Sequence, residues 1–209
     1  MRLYALGDTA WMVELPGLDD VVRRHAALTA SRERGEADGV QDLVPAERTV
    51  LVRFDPRRIS PAAVREWVVG TPPEDYAVRA EAEIELPVRY DGEDLDDVGR
   101  LTGLGRKGVV RAHSGTPWTV AFVGFAPGFG YLVGGDERLR VPRLPSPRIR
   151  VPAGAVALAG HYSAVYPRVS PGGWRLIGHT DADVWDLDAD PPALLRPGVR
   201  VRFTPVDDR

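Results

Sequence analysis

Gly124-Phe125-Ala126-Pro127-Gly128-Phe129-Gly130-Tyr131-Leu132, with Pro142-Arg143-Leu144-Pro145-Ser146-Pro147-Arg148-Ile149-Arg150-Val151-Pro152 soon after, decides how the second half of this chain folds. The three glycines and one proline of the first run exclude a helix, because glycine loses too much backbone freedom there and proline has no N–H to donate. Yet the run keeps three aromatic residues, which a disordered loop has no physical reason to hold. Glycine lets the backbone approach a neighbour closely while rings wall the space. Residue types alone leave two readings open: a rigid, ring-lined pocket floor, or a plain barrel corner.

Working outward, everything beyond Pro117 is strand and turn. Thr119–Phe125, Ala155–Ala159, Ala164–Tyr166, Arg175–Ile177, Val184–Leu187 and Val199–Thr204 are short apolar runs punctuated by Pro and Gly, the pattern of a barrel or sandwich. Ile84–Tyr90 reads as a further strand. Two helical pieces follow it, Leu95–Thr102 and Arg106–His113, broken at Gly103 and Gly105.

The first third differs. Arg2–Leu6 and Ala10–Leu15 read as strands around the turn signal Gly7-Asp8, and Leu18 to Arg34 has helical spacing with acids at its start and arginines at its end. Val40–Pro45 and Thr49–Phe54 alternate as strands, and Ser60-Pro61 opens a helix to about Val69. This order gives a small α+β layer. Gly70-Thr71-Pro72-Pro73-Glu74-Asp75 reads as the linker. The expectation is an α+β protein with an N-terminal α+β domain over 1–79 and a β-rich domain over 80–209.

Composition narrows the function. The 209 residues carry a net charge of −3, which gives no basic excess for nucleic acid. Cysteine is absent, excluding thiol nucleophiles, thiolate metal sites and disulfides. Lys107 is the only lysine, and neither Gly124–Gly130 nor Gly103–Gly108 has P-loop spacing, so an ATP cradle of that type is not expected. Met1-Arg2-Leu3-Tyr4-Ala5-Leu6-Gly7-Asp8 lacks the apolar core expected of a signal peptide, and no apolar run approaches the ~20 residues of a membrane span. A cytoplasmic protein without membrane contact is expected.

Chemistry-bearing residues fall in three groups. Arg143, Arg148 and Arg150 lie among prolines that stiffen their backbone, which suits recognition of a carboxylate or phosphate as well as a solvated strand edge. Ser170-Pro171-Gly172-Gly173-Trp174 places a hydroxyl and two glycine amides beside a large ring, fit for an oxyanion or carboxylate site or for a plain hairpin turn. His161 and His179 lie near turns of the β-rich domain and are the candidate acid–base residues, with convergence of the two left open. Without cysteine or an H-x-x-x-H pair no metal site is expected, although His179, Asp181 and Asp183 could be strung as ligands.

Taken in order, Leu6-Gly7-Asp8, Gly124–Leu132, Pro147–Gly154, Tyr166-Pro167, Ser170–Trp174 and Leu194–Gly198 resemble a known family across nearly the whole chain. It is the family of the B subunits of the bacterial ATP-dependent 5-oxoprolinase. The Kip-type inhibitor of a sporulation histidine kinase belongs to it, as does the first subunit of proteins labelled allophanate hydrolase or urea carboxylase carboxyltransferase. The resemblance implies a small α+β domain followed by a cyclophilin-like β-barrel. It implies a non-autonomous subunit, working with a homologous larger barrel subunit and a third subunit to convert 5-oxo-L-proline and ATP to glutamate, ADP and phosphate. ATP is then a co-substrate of the complex, and no cofactor is expected on this chain alone.

On that reading Phe125, Pro127, Gly128, Phe129, Tyr131, Arg148, Ser170, Gly172, Gly173 and Trp174 bind the ligand, and His161 or His179 moves a proton. A histidine kinase is the partner in the Kip-type alternative. The chain also departs from the family pattern. Gly128-Phe129-Gly130-Tyr131 replaces Gly-Phe-Pro-Tyr, Gly160-His161-Tyr162-Ser163-Ala164 replaces Gly-Gly-Gln-Thr-Gly, and Ile177-Gly178-His179-Thr180-Asp181 replaces Ile-Gly-Arg-Thr-Pro. Those changes fall in motifs that would line the site, so a third reading is a paralogue altered for another small molecule.

Overall fold

The computed structural model describes residues 1–73 and 83–206. The chain divides into two compact units, Met1–Arg79 and Ala80–Arg209. Of the expected linker, Gly70 closes a helix, 71–73 are irregular, and Glu74 and Asp75 lie outside the described residues.

The first unit packs two helices on a four-stranded antiparallel sheet. Its strands are β1 (Arg2–Leu6), β2 (Ala10–Glu14), β3 (Val40–Pro45) and β4 (Thr49–Phe54), in the spatial order β1-β2-β4-β3. Alternation explains the layer: Val50, Val52 and Phe54 of β4 are buried while Arg53 between them is exposed. Their inner face meets Val21 and Leu28 of α1 (Leu18–Glu33) and Val64 and Val68 of α2 (Pro61–Gly70). Asp19 and Asp20 at the start of α1 and Arg32 at its end suit the helix dipole. At α2, Ser60 Oγ accepts from the Ala63 N–H, and proline fits the first turn because its missing donor would be unpaired there anyway.

In the second unit a seven-stranded sheet curls into a nearly closed, cyclophilin-like barrel. Its strands are β5 (Glu83–Val88), β6 (Trp118–Val123), β7 (Gly130–Val133), β9 (Ala155–Ala159), β10 (Tyr162–Val165), β12 (Arg175–His179) and β13 (Arg200–Pro205). They run in the order β12-β9-β10-β7-β6-β13-β5, with only β13 and β5 parallel. The two end strands meet beyond β5, where Arg89 and His179 exchange backbone hydrogen bonds of 2.9 and 2.8 Å. The seam needs glycine at 178, because a Cβ there would lie 2.2 Å from the Arg89 carbonyl oxygen.

Helices α3 (Leu95–Thr102) and α4 (Gly105–Gly115) add Leu95, Val98, Val109 and Ala112 to the core formed by Leu86, Val120, Leu132, Leu158, Ile177 and Phe203. A separate two-stranded ribbon pairs β8 (Arg148–Val151) with β11 (Ser170–Gly172).

Several sequence expectations are corrected. Gly105 starts α4 instead of breaking it. Val184–Leu187 is not a strand: its one pairing is an isolated bridge from Trp185 to Ala193. Strands β7, β8 and β11 form within stretches whose Gly and Pro content marks them as turns. Among the described residues, no helix is long and apolar enough to cross a membrane.

Candidate functional site

The site grows from the turn between β6 and β7. Gly124 N–H bonds to Phe129 O at 3.1 Å, Phe129 N–H to Ala126 O at 3.0 Å, and Ala126 N–H to Gly124 O at 2.8 Å. The last of these encloses Phe125 in a three-residue turn at φ 68°, a conformation that a bulky side chain adopts only under constraint. It throws the Phe125 ring outward, 61% exposed. Gly128 (φ 79°) is buried where a Cβ would sit 2.7 Å from Trp185 Cβ, and Pro127 beside it is exposed.

Phe129, 2% exposed, is the hub of the ring cluster. Its ring meets Phe125 (5.2 Å), Tyr131 (5.1 Å), Tyr166 (5.2 Å) and Trp174 (5.5 Å) edge-on. Tyr131 extends the cluster to Tyr162 at 5.6 Å and stacks on Phe122 at 4.4 Å. Edge-to-face rings pack without collapsing onto one another, so they keep a defined wall. The run turns the corner between β6 and β7, and its rings pack against one another there.

The ribbon brings polar groups to that wall. Gly172 pairs with Arg148, and a Cβ at 172 would lie 2.3 Å from the Tyr166 hydroxyl, so only glycine lets strand and phenol meet. Burial pushes the Tyr166 phenol up, opposed by a backbone hydrogen bond from Trp174 and by the charges of Arg143 and Arg148. Arg143 lies over the Trp174 ring at 5.9 Å, within cation–π range. Gly173 O accepts from Leu144 N–H at 2.8 Å, tying the proline-rich segment to the Trp174 turn.

Arg148 is held from behind. Its Nη2 donates to Asp94 Oδ1 at 2.8 Å and lies 3.3 Å from Glu93 Oε2, and the Asp94 hydrogen bond raises the guanidinium pKa further. Asp94 is itself fixed, its Oδ2 accepting from Leu176 N–H at 2.7 Å. Among the described residues, the Arg148 Nη1 is buried without a hydrogen-bond partner, and so is Ser170 Oγ. Buried donors are normally satisfied, and leaving one bare costs about 1–3 kcal/mol.

The two candidate histidines do not converge. His161 is exposed on the β9–β10 turn with its ring 4.0 Å from that of Tyr162. His179 is paired with Ala155 at the other end of β9, about 13 Å away along the strand. There its Nδ1 meets Asp91 at 2.9 Å and its Nε2 faces Arg89 at 3.4 Å, while Arg89 also donates to Asp181 at 2.6 Å. Strand position near a turn does not say which end of the barrel a residue occupies.

Sequence reasoning misses Asp94, whose partner Arg148 is remote in the chain, and passes over Tyr166 as no more than a motif residue. It also misses His113, which is fully buried between the Tyr90 hydroxyl and Ser163 Oγ at 2.8 Å each. No group of three or more His, Cys, Asp or Glu is placed to hold a metal ion among the described residues.

Known proteins match this chain over its length. A family model described as carboxyltransferase domain, subdomain C and D, matches residues 1–195. The 5-oxoprolinase B subunit of Escherichia coli O157:H7 is 37% identical over 214 residues, covering 98% of this chain and 95% of that protein. The 5-oxoprolinase B subunit of Bacillus subtilis strain 168 is 40% identical over 227 residues, covering 100% and 94%. The crystal structure of TTHA0988 superposes with a TM-score of 0.82 at 39% identity, over 96% of this chain but 40% of that longer one. The family model over residues 1–195 and the two relatives matched over nearly their whole lengths place the chain in the carboxyltransferase subdomain C and D family, with the 5-oxoprolinase B subunits.

Proposed function

We propose that this chain is the B-type subunit of an ATP-dependent 5-oxoprolinase-type complex, active only alongside a larger homologous barrel subunit and a third subunit. The observation that carries the reading is the likeness to two 5-oxoprolinase B subunits at 37% and 40% identity over nearly their whole lengths. The chemistry of the ring-lined corner supports it. 5-Oxo-L-proline presents a carboxylate, a lactam carbonyl and an apolar ring edge.

Arg143 and Arg148 take the carboxylate, the first from over the Trp174 ring and the second from its anchor on Asp94. The Gly172 and Gly173 amides and Ser170 polarise the carbonyl, while Phe129, Tyr131 and Trp174 face the ring, with Phe125 and Pro127 as the outer lip and the buried Gly128 shaping the turn between them and Phe129. Water adds to the carbonyl carbon, the lactam C–N bond breaks, and the nitrogen leaves as the amine of glutamate. ATP hydrolysis elsewhere in the complex drives the step. His161 sits beside the rings and is the histidine that delivers the proton to nitrogen.

The test is glutamate and phosphate release from ATP and 5-oxo-L-proline, with the chain alone and co-expressed with its neighbouring candidate subunits. Turnover needing both 5-oxo-L-proline and this chain is expected, and Arg148→Met should abolish most of it. A second reading is favoured by the changed residues themselves. A Cβ at Gly130 would lie 3.0 Å from Leu195 and 3.2 Å from Val120, and His161 leans on Tyr162. A stable complex that 5-oxo-L-proline does not stimulate would identify a paralogue with another substrate.

A further inference from the structure

Aspartate at a helix N-cap ordinarily turns its carboxylate onto the first backbone N–H groups of its own helix. Asp94 holds the N-cap position of α3 and makes no such bond. Both of its oxygens are engaged elsewhere. Oδ2 accepts from Leu176 N–H at 2.7 Å and the Asp94 N–H donates to Leu176 O at 2.9 Å, so the residue pairs with β12 as a strand neighbour would. Gly92, just before it, lies so close to β12 that a Cβ there would sit 2.4 Å from the Leu176 carbonyl oxygen. Oδ1 is left for Arg148 Nη2 at 2.8 Å, with the Asp94 side chain 8% and the Arg148 side chain 22% exposed. One helical turn on, Asp97 Oδ2 lies 3.3 Å from Nη1 of Arg175, whose Nε donates to the Pro142 carbonyl at 3.0 Å. The two carboxylates thus reach the two ends of the proline-rich segment, Arg148 directly and Pro142 through Arg175. The ribbon that follows shares no strand pairing with the barrel sheet, so its seat depends on bonds of this kind and on packing.

We propose that the start of α3 is a clamp that positions the two arginines of the candidate site. Asp94 acts through Arg148, and Asp97 acts through Arg175 and Pro142 on the adjoining Arg143. The assignment rests on the reading above in which Arg143 and Arg148 take the substrate carboxylate. Neither aspartate touches substrate; both are positioning residues. A largely buried, charge-assisted hydrogen bond fixes a guanidinium better than an exposed pair does, because water competes less for it. An arginine already fixed loses less rotamer freedom when a carboxylate docks, so the gain in affinity comes from pre-organisation. Asp94 is more than a seam residue, since the seam engages its N–H and Oδ2 while Oδ1 is given to Arg148.

The test is steady-state kinetics of the co-expressed complex, with 5-oxo-L-proline and ATP varied separately. The variants are Asp94→Asn, Asp97→Asn, Arg148→Met, the double variant Asp94→Asn/Arg148→Met and the control Asp96→Asn. Asp94→Asn keeps an acceptor for Leu176 N–H and loses the charge that faces Arg148. Asp96 lies in the same turn but pairs with Arg106 and is 76% exposed, so its substitution matches the charge change without touching the clamp. KM for 5-oxo-L-proline should rise about tenfold or more in Asp94→Asn and about threefold in Asp97→Asn. In both, kcat should stay within about threefold and KM for ATP should not move, and Asp96→Asn should match wild type. Adding Asp94→Asn to Arg148→Met should cost nothing further in the residual kcat/KM, because a residue acting through Arg148 has nothing left to position. A merely structural role would lower kcat and the melting temperature together and add to the Arg148→Met loss. A wild-type KM for 5-oxo-L-proline in Asp94→Asn, or losses that add in the double variant, overturns the assignment while the subunit reading stands. Should Asp94→Asn melt early, Asp97→Asn decides, since Asp97 is 45% exposed and takes no part in the Asp94–Leu176 pairing: an unchanged KM there overturns the clamp. No turnover of 5-oxo-L-proline by the wild-type complex overturns the subunit reading, and the clamp with it.

Discussion

His113 and His179 are bonded alike and placed unlike. His113 meets Tyr90 and Ser163 hydroxyls at 2.8 Å each, and His179 meets Asp91 at 2.9 Å and Arg89 at 3.4 Å. The first is fully buried and stacks on Phe203 at 4.3 Å, whereas the His179 side chain keeps 33% of its surface in water. Water can replace a lost partner only in the second case. Two polar constellations with the same number of bonds therefore differ in what they contribute, and the buried one governs stability.

The comparison breaks most easily at His113. His113→Ala removes a packed ring and strands two hydroxyls, so unfolding free energy should fall by about 3–5 kcal/mol. Denaturant titration read by hydrogen exchange in α4 and β10 would measure it within the second unit. A loss below about 1 kcal/mol would show that the core closes over the gap and that the bonds matter little. Ser163→Ala is milder, because one partner remains; about 1–3 kcal/mol is expected from the bare imidazole nitrogen.

Acid sharpens the same contrast. Burial holds the His113 imidazole down to about 3, against an ordinary 6.5. Its folded pKa lies below its unfolded one, so the unfolded chain takes up the proton first. The stability is intact above about pH 6.5 and is lost as pH falls from there toward 3. Between pH 7 and 5 this group alone should remove about 2 kcal/mol, before the carboxylates enter their own range. His113→Gln, which keeps a donor and an acceptor, should lose that slope in α4 and β10 exchange. An unchanged slope would place the titrating group elsewhere.

Much of this is legible in the chain, and what is not has a physical cause. Alternation in Val50, Val52 and Phe54, and the Ser60-Pro61 start signal, are local, and β4 and α2 form where they point. The glycine-aromatic run is legible as a special place for the same reason. Strand β7 is hidden because Gly130–Val133 borrows its pairing from β6 and β10, and residue propensity cannot show that. Val184–Leu187 misleads in the other direction: Val184 is 3% exposed and Leu187 79%, so the apolar run is a loop pinned at one end. Asp94 reads locally as a helix-start acid, and only the fold gives it Arg148 and Leu176 as partners. The histidine pair fails on direction, since both flank β9 and nothing local says they flank opposite ends.

The smallest expected effect lies at His179. The seam beside it is held by backbone hydrogen bonds between Arg89 and His179, which do not depend on the imidazole. Arg89 also keeps its ion pair with Asp181, which is 75% exposed, when the ring is gone. His179→Ala should therefore cost less than about 1 kcal/mol, in the range of exposed ion pairs. Exchange of the Arg89 and His179 amides should stay as slow as in the wild type, because their acceptors remain. A several-fold larger loss, with those amides exchanging freely, would mean that the side-chain network closes the barrel and that the backbone bridge only follows it.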